Sequence, residues 1–422
     1  MTANLSSPVE IRRDLHRHPE LGFTEFRTAS LIVGRLRSLG YDVRFGADVM
    51  DDSERLGVPS VAEIEAARAR ALAGGGDAEV VKAMANGLTG VVADLKRGAG
   101  PMVALRFDID ALPIAESEEP GHVPRRLGFS SSRPGLMHAC GHDGHAAVGL
   151  AVAEAAASTD AEWQGTLRLI FQPAEEGGRG AWPMVAAGIV DDVDWFFTFH
   201  IGCDLPSGRV AARATKMMFS TKWDAEIHGV AAHAAANPES GRNALLAAAQ
   251  AVMGLHALPR HGQHATHVNV GTLRAGSARN IVPHLAVLQL ELRADAEAAL
   301  LELEQRARHV LEGGASGQGC SVSIQTQGRT IGEETTESAA QLVTAAAASL
   351  GVDVIDGWPI GGGDDAAFFM KRVRERGGEA GYFIVGSDLP AGHHHPRFDF
   401  NEVDLGVAKS IIMRIIKDIA HR

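Results

Sequence analysis

Cysteine is scarce: Cys140, Cys203 and Cys320 are the three in 422 residues. Three scattered thiols exclude a disulfide framework and fit a reducing compartment. Positive charge is in deficit, with 40 Lys and Arg against 52 Asp and Glu, a formal net charge of -12. That balance excludes a general basic field for nucleic acid or an anionic membrane. No apolar run is long enough to span a bilayer. The start, Met1-Thr-Ala-Asn-Leu-Ser-Ser-Pro8, has no basic stretch followed by an apolar one. No signal peptide is therefore expected, and the expected location is cytoplasmic. Internal repeats and low-complexity linkers are also missing.

What is present is an ordinary globular composition, 45% hydrophobic and 22% charged. A chain of 422 residues exceeds one hydrophobic core, so at least two domains are expected. Ser7-Pro-Val-Glu10 is a capping box with proline at the first helical position, predicting a helix to about Arg17. A second helix is expected over Thr24–Leu39, stopped by Gly40, with a strand over Tyr41–Phe45. Residues 48–87 are rich in Ala, Glu, Arg and Gly, with a second capping box at Ser60-Val-Ala-Glu63. They read as a helical insertion with a flexible joint at Gly74-Gly75-Gly76, a solvated decoration on the domain.

Strands and helices then alternate. Strands are expected at Thr89–Leu95, Met102–Phe107, Thr166–Phe171 and Asp194–Phe199, with helices at Gly144–Ala157 and Ala181–Ala187. That order predicts an α/β domain around a mostly parallel sheet. Residues 215–330 instead read β-α-β-β-α-β, the ferredoxin-like order, and so predict an inserted α+β satellite domain. The first pattern resumes over 331–422, with helices at Glu337–Leu350, Asp365–Arg374 and Glu402–Ala420 and a strand at Tyr382–Val385. The expected division is a catalytic domain over 1–214 and 331–422, and a satellite over 215–330.

The densest chemistry lies in His138-Ala-Cys140-Gly-His142-Asp143-Gly-His145. One thiol, three imidazoles and a carboxylate in eight residues form a ligand set for zinc or manganese. Other candidates follow strands, and in open α/β sheets ligands bind beyond the carboxyl ends of the strands. Met102–Phe107 runs into Asp108 and Asp110, Thr166–Phe171 into Glu175-Glu176, Asp194–Phe199 into His200, and Tyr382–Val385 through a loop into His393-His394-His395. Each alone has a bland reading: a strand-end His is usually a hydrogen-bonded structural residue, and a Glu pair is usually solvated. Four on one sheet edge point to a shared site. Cys140, His142, Glu176, His200 and His394 could hold two close divalent ions, and a water there becomes acidic near neutral pH. Glu175 could take its proton as general base, because neighbours in extended backbone face opposite ways. Asp108 could hold the second nitrogen of a ligand histidine. The predicted reaction is amide hydrolysis.

Arg-Phe-Asp-Ile-Asp-Ala-Leu-Pro (106–113), the stretch 138–145 and Phe-Gln-Pro-Ala-Glu-Glu-Gly (171–177) resemble the M20 metallopeptidase family. So do His-Arg-His-Pro-Glu-Leu-Gly-Phe (16–23), Gly-Val-Ala-Ala-His-Ala-Ala (229–235), Gly-Ser-Ala-Arg-Asn-Ile-Val-Pro (276–283) and His-His-Pro-Arg-Phe-Asp (394–399). The likeness is to its amidohydrolase branch, which includes hippurate, N-acyl-amino-acid and auxin-conjugate hydrolases. It covers nearly the whole chain outside 48–87. It implies two metal ions, ligands at Cys140, His142, Glu176, His200 and His394, the general base at Glu175, and a dimer formed through the satellite. In that family a satellite histidine reaches the partner's active site, a place held here by His233. Asn280 matches a substrate contact, and Arg329 could pair a substrate carboxylate. The insertion and the ending Ala-Gly-His-His-His-Pro-Arg-Phe-Asp-Phe (391–400) resemble the p-aminobenzoyl-glutamate hydrolase group within that branch. That group implies manganese and the products p-aminobenzoate and glutamate. The expected assembly is a homodimer through the satellite, with a homologous second subunit as the alternative that this group adds. One departure is Gly362-Gly363-Asp364-Asp365-Ala366, where the family often has Gly-Ser/Ala-Glu-Asp-Phe.

Other readings carry their own marks. A hippurate or N-acetyl-amino-acid deacylase, or a dipeptidase, would share the metal chemistry. A thiol hydrolase using Cys140 would leave Glu175, Glu176 and His394 without a purpose. A non-catalytic protein with a closed structural metal site would need only four Cys/His ligands.

Overall fold

The computed structural model describes residues 7–420. Residues 1–6, within the segment read above for a signal peptide, lie outside the described residues. The chain divides into two compact units: residues 1–215, 333–360 and 364–422, and residues 216–332 with 361–363.

The first unit begins with helices α1 (Pro8–Arg17) and α2 (Phe26–Ser38) and the short strand β1 (Asp42–Phe45). The Ser7 capping box is formed, with reciprocal hydrogen bonds between Ser7 and Glu10. Helices α3 (Val61–Ala73) and α4 (Ala78–Ala83) follow, the first capped by Ser60 and Glu63 and the second by Asp77. The insertion is not a solvated decoration. Ile64, Ala67, Ala71, Val80 and Val81 are buried in the same core as Ile32 and Val33 of α2. The three glycines close α3: Gly75 is left-handed at φ +88°, and Gly76 N–H donates to the Ala71 carbonyl at 2.8 Å.

Next come β2 (Val91–Arg97), β3 (Met102–Asp108), α5 (Val123–Leu127), α6 (His142–Ala157), β4 (Gly165–Gln172), α7 (Ala181–Ala186), β5 (Trp195–Ile201) and β6 (Arg209–Thr215). The second unit holds β7 (Phe219–His228), α8 (Ala244–His256), β8 (Thr266–Ala275), β9 (Leu285–Ala294), α9 (Glu297–Gly317) and β10 (Ser321–Thr330). The first unit resumes with α10 (Glu337–Ser349), β11 (Asp353–Pro359), α11 (Ala367–Glu375), β12 (Glu379–Val385) and α12 (Asp404–Ala420).

Its sheet has eight strands in the order β1-β2-β4-β3-β5-β12-β6-β11. The central four, β4, β3, β5 and β12, are mutually parallel, so their carboxyl ends share one edge. β2 and β6 flank them antiparallel. Alternation sorts the side chains by face. Phe197, Phe199 and Ile201 enter the core that includes α1, α6, α10 and α12. Phe196 points the other way and stacks on Phe369 of α11 at 5.6 Å. Each buried ring contributes roughly 1.5–3 kcal/mol. β6 and β11 were not legible in the sequence. β6 is Arg-Val-Ala-Ala-Arg-Ala-Thr, poor in strand formers, and β11 is an edge strand with Gly357 and Pro359.

The second unit is one antiparallel sheet, β10-β7-β9-β8, with α8 and α9 on one face. Trp223, Ile227, Leu288 and Leu292 pack against Ala251 and Leu255 of α8 and Leu303 and Leu311 of α9. The order and connections are ferredoxin-like.

Candidate active site

The parallel strands deliver the site. β3 ends at Asp108 and leads to Asp110; β4 leads to Glu175 and Glu176; His200 is the penultimate residue of β5. Cys140 precedes α6, and His142 is its first residue. Gly141 between them has φ +88°, and a Cβ there would come within 2.8 Å of Ile201, so glycine is required. His394 has φ +61° and donates its N–H to the Ala139 carbonyl at 2.8 Å. That left-handed residue separates two neighbours. His394 Nε2 reaches Oε1 of Glu176 at 3.3 Å, while the His393 ring lies 5.0 Å from that of His200.

Cys140 belongs to two groups of three ligand atoms, one with His142 and His200 and one with Glu176 and His394. Within each group all the atoms lie within 4.8 Å of one another. Cys140 Sγ is 3.4 Å from His200 Nε2. His142 Nε2 is buried without a hydrogen-bond partner, and Glu176 Oε1, although 3.3 Å from His394 Nε2, makes no hydrogen bond either. Buried polar atoms are rarely left so. Two of them, facing a thiol shared by both groups, fit a pair of cations, and the mixed S, N and O donors suit zinc or manganese.

The other nitrogens of the histidines are fixed. His200 Nδ1 is 2.9 Å from the Ile201 carbonyl. His142 Nδ1 is 2.9 Å from the Asp110 carbonyl and 3.2 Å from its Oδ1. The expectation that Asp108 holds a ligand histidine is corrected here. Its Oδ1 bonds His145 Nδ1 at 2.6 Å, its Oδ2 accepts from Arg106 at 2.7 Å, and it stands 3.8 Å from His142 Nε2. One residue of spacing along the chain turns Asp108 to His145 and leaves Asp110 with His142.

Asp110 also organises the two glutamates. Its Oδ1 and Oδ2 accept the N–H groups of Glu175 and Glu176 at 3.1 and 3.0 Å. These glutamates lie in a turn rather than in extended backbone, because Ala174 is left-handed at φ +50° and Gly177 has φ +99°. Ala174 N–H is held by the buried Glu25 at 2.8 Å. Sequence reasoning missed Glu25, whose partners are 64 and 149 residues away in the chain.

Electrostatics separate the carboxyls. Burial pushes the Glu175 carboxyl well above its usual range, with Asp364, Glu176 and Asp365 adding to the rise. Burial also opposes the charge on Asp108, but His142, His145 and Arg106 outweigh it and hold that carboxyl well below the usual range. Glu175 Oε2 lies 3.9 Å from His142 Nε2. A group of this kind can accept a proton and return it.

The departing loop has a structural use. Asp364 and Asp365 are buried and pair with Arg106 Nη2 at 3.0 and 3.3 Å. Of the remaining candidates, His233 and Asn280 come together in the second unit: His233 bridges to Ile281, and Ala234 N–H donates to the Asn280 carbonyl at 3.0 Å. Arg329 is apart from them on β10, 3.7 Å from Glu304.

Residues 104–418 match the model of peptidase family M20/M25/M40. The chain belongs to this family. It is 42% identical over 407 residues to one of the subunits named for p-aminobenzoyl-glutamate hydrolase in Escherichia coli, covering 96% of this chain and 93% of that one. It is 44% identical over 408 residues to indole-3-acetyl-aspartic acid hydrolase of Enterobacter agglomerans, covering 96% and 94%. Among solved structures, the aminobenzoyl-glutamate utilization protein of Klebsiella pneumoniae superposes with a TM-score of 0.84 at 38% identity, over 97% of this chain and 96% of that one. A dinuclear metal-binding M20 peptidase of Bacillus subtilis gives 0.67 at 26% identity, over 98% of each chain. As a member of this family the chain is a metal-dependent amidohydrolase that uses divalent metal. Among the described residues, no helix is long and apolar enough to cross a membrane.

Proposed function

We propose that the chain hydrolyses the amide of an N-aroyl or N-acyl acidic amino acid, with p-aminobenzoyl-glutamate as the leading substrate. The observation that carries the reading is the double membership of Cys140 in two ligand triads, with Glu175 close by in a third group with His142 and Glu176. Cys140, His142 and His200 would hold one ion, and Cys140, Glu176 and His394 the other. When bound, divalent ions supply an acidic water and polarise the amide carbonyl. Glu175 takes the proton of the attacking water and delivers it to the leaving nitrogen. Its raised affinity for a proton suits both halves of that task. Asp110 fixes His142 and the backbone of both glutamates, and Asp108 fixes His145.

Two relatives support the acidic leaving group: one is named for p-aminobenzoyl-glutamate and the other for indole-3-acetyl-aspartic acid. The second name favours an acyl-aspartate as the second reading. The first relative is named as one subunit of its hydrolase, which supports a homologous second subunit here. The alternative is a homodimer through the second unit. His233, Asn280 and Arg329 remain the substrate-contact candidates of that unit. The site is proposed to work in the cytoplasm with manganese or zinc.

The test is turnover by metal-loaded protein on p-aminobenzoyl-glutamate, indole-3-acetyl-aspartate, hippurate and N-acetyl amino acids. Hydrolysis of the first above the others, abolished by a chelator, is expected. A fully loaded protein that cleaves none of them would overturn the proposal. Activity that survives chelation would move the chemistry to the Cys140 thiol.

A further inference from the structure

A cavity of about 660 Å³ opens beside Glu176 and Gly177. Its far wall is the insertion, through Pro59, Glu63, Ala66 and Arg70, with the Glu63 carboxylate engaged by Ser60 in the helix cap. Two more arginines face it from the rest of the first unit: Arg133 and Arg179. Among the described residues, none of these three guanidiniums has a carboxylate within ion-pair distance. Arg133 Nη1 donates to the Pro19 carbonyl at 2.6 Å. Arg179 donates Nε to the Glu176 carbonyl at 3.1 Å and Nη1 to the Gly57 carbonyl at 2.8 Å. Its Nη2 lies against Gly22, where a Cβ would come within 2.5 Å, so that glycine makes room for the guanidinium. Arg70 on α3 is exposed, and its guanidinium makes no hydrogen bond among the described residues. Burial and then the charge of Arg70 lower the proton affinity of Arg133, while the buried Glu20 acts on it in the opposite direction from beyond ion-pair distance. Clustered like charges cost free energy unless an anion joins them.

We infer that this pocket is the subsite for the side-chain carboxylate of an acidic amino acid, with Arg70 of the insertion, Arg133 and Arg179 as its cationic walls. The inference rests on the amidohydrolase reading and adds the place and the residues that hold the acidic side chain. Guanidiniums present paired donors that match a carboxylate. The volume accommodates an amino-acid side chain with room to spare. Leu21, Leu112 and Leu136 supply apolar contact for its methylenes. The insertion thereby has a use beyond its share of the core: it closes the pocket and adds a third guanidinium to those of Arg133 and Arg179.

Two measurements test this on the full-length, metal-loaded protein. The first is the ratio of kcat/KM for p-aminobenzoyl-glutamate over p-aminobenzoyl-glutamine. The second is calorimetric binding of free glutamate against free glutamine, which needs no turnover. The protein is expected to favour the acid in both. Arg70→Ala should lower each preference by about 10- to 100-fold, with the loss in KM, and Arg70→Lys should restore part of it. Arg133→Ala should do the same if folded, and Arg70 is the safer variant because it has no internal partner. If amides are cleaved but the preference for glutamate is absent, or is unchanged in Arg70→Ala and Arg133→Ala, the inference fails and the hydrolase reading stands. If these variants weaken p-aminobenzoate binding and leave glutamate binding intact, the pocket holds the acyl group and the inference also fails. If no amide is cleaved, the hydrolase reading fails, while the calorimetric preference and its loss in Arg70→Ala still decide the subsite.

Discussion

Glu25 and Ala174 are joined by one hydrogen bond on which the acidic turn rests: Ala174 N–H donates to Glu25 Oε1 at 2.8 Å. Ala174 is left-handed at φ +50°, a conformation that costs an L-residue about 1–2 kcal/mol. The bond helps to hold it, and the turn then brings the N–H groups of Glu175 and Glu176 onto Asp110.

Glu25 makes stability depend on pH. Burial, with Asp110 adding, raises its carboxyl from 4.5 to about 8. The unfolded chain loses this proton first, so the folded state is fully favoured below about pH 4.5 and loses stability as pH rises to about 8. Glu25→Gln keeps an acceptor for Ala174 and removes the titration. Its metal-free form should show a flatter change in unfolding midpoint between about pH 5 and pH 8 than the parent. An unchanged slope would assign the dependence to other groups.

Glu175→Gln should lower kcat/KM by about 10²- to 10⁴-fold or more, because proton transfer is lost. Metal content, read by elemental analysis, should stay at the parental level. Near-parental activity would remove Glu175 from the reaction.

Asp110→Ala should weaken metal binding by about 10- to 100-fold, as expected when the partner of a ligand histidine is removed. The variant also frees the N–H groups of Glu175 and Glu176, so activity should fall even at saturating metal. Titration against a competing chelator gives the affinity. Parental affinity would show that the Asp110 carbonyl alone holds His142.

Arg12 is fully buried and pairs with Asp143 at 3.0 Å, Asp399 at 2.5 Å and Glu402 at 3.1 Å. It ties α1 to the start of α6 and to the segment before α12. Arg12→Met leaves two buried acids and one half-buried acid without this partner and should cost about 3–5 kcal/mol. Urea unfolding near neutral pH measures it. A loss below about 1 kcal/mol would mean that His16, which also bonds Asp143, is enough to hold it.

The helix ends were legible because capping is local. Ser7 with Glu10 and Ser60 with Glu63 form the reciprocal bonds that their spacing predicts. The ligand edge was legible because parallel strands place Asp108, the Glu175–Glu176 turn and His200 on one side. What the sequence misassigned lies two residues away or far along the chain. Asp108 and Asp110 are equal candidates by type, and only the pairing at the end of β3 gives one to His145 and the other to His142. The insertion looked solvated because it is rich in alanine and charged residues. Packing against α2 buries Ala67 and Ala71 with Ile64.

The chain by itself determined most of the elements, the two-unit plan and the residue types that can bind metal, since these follow from periodicity, capping and donor chemistry within short windows. Tertiary structure decided which carboxylate serves which histidine, the turn at Ala174 that separates Glu175 from Glu176, and the meeting of Arg70 with Arg133 and Arg179 in one cavity. Those relationships depend on strand order and on contacts between distant segments, and local sequence carries neither.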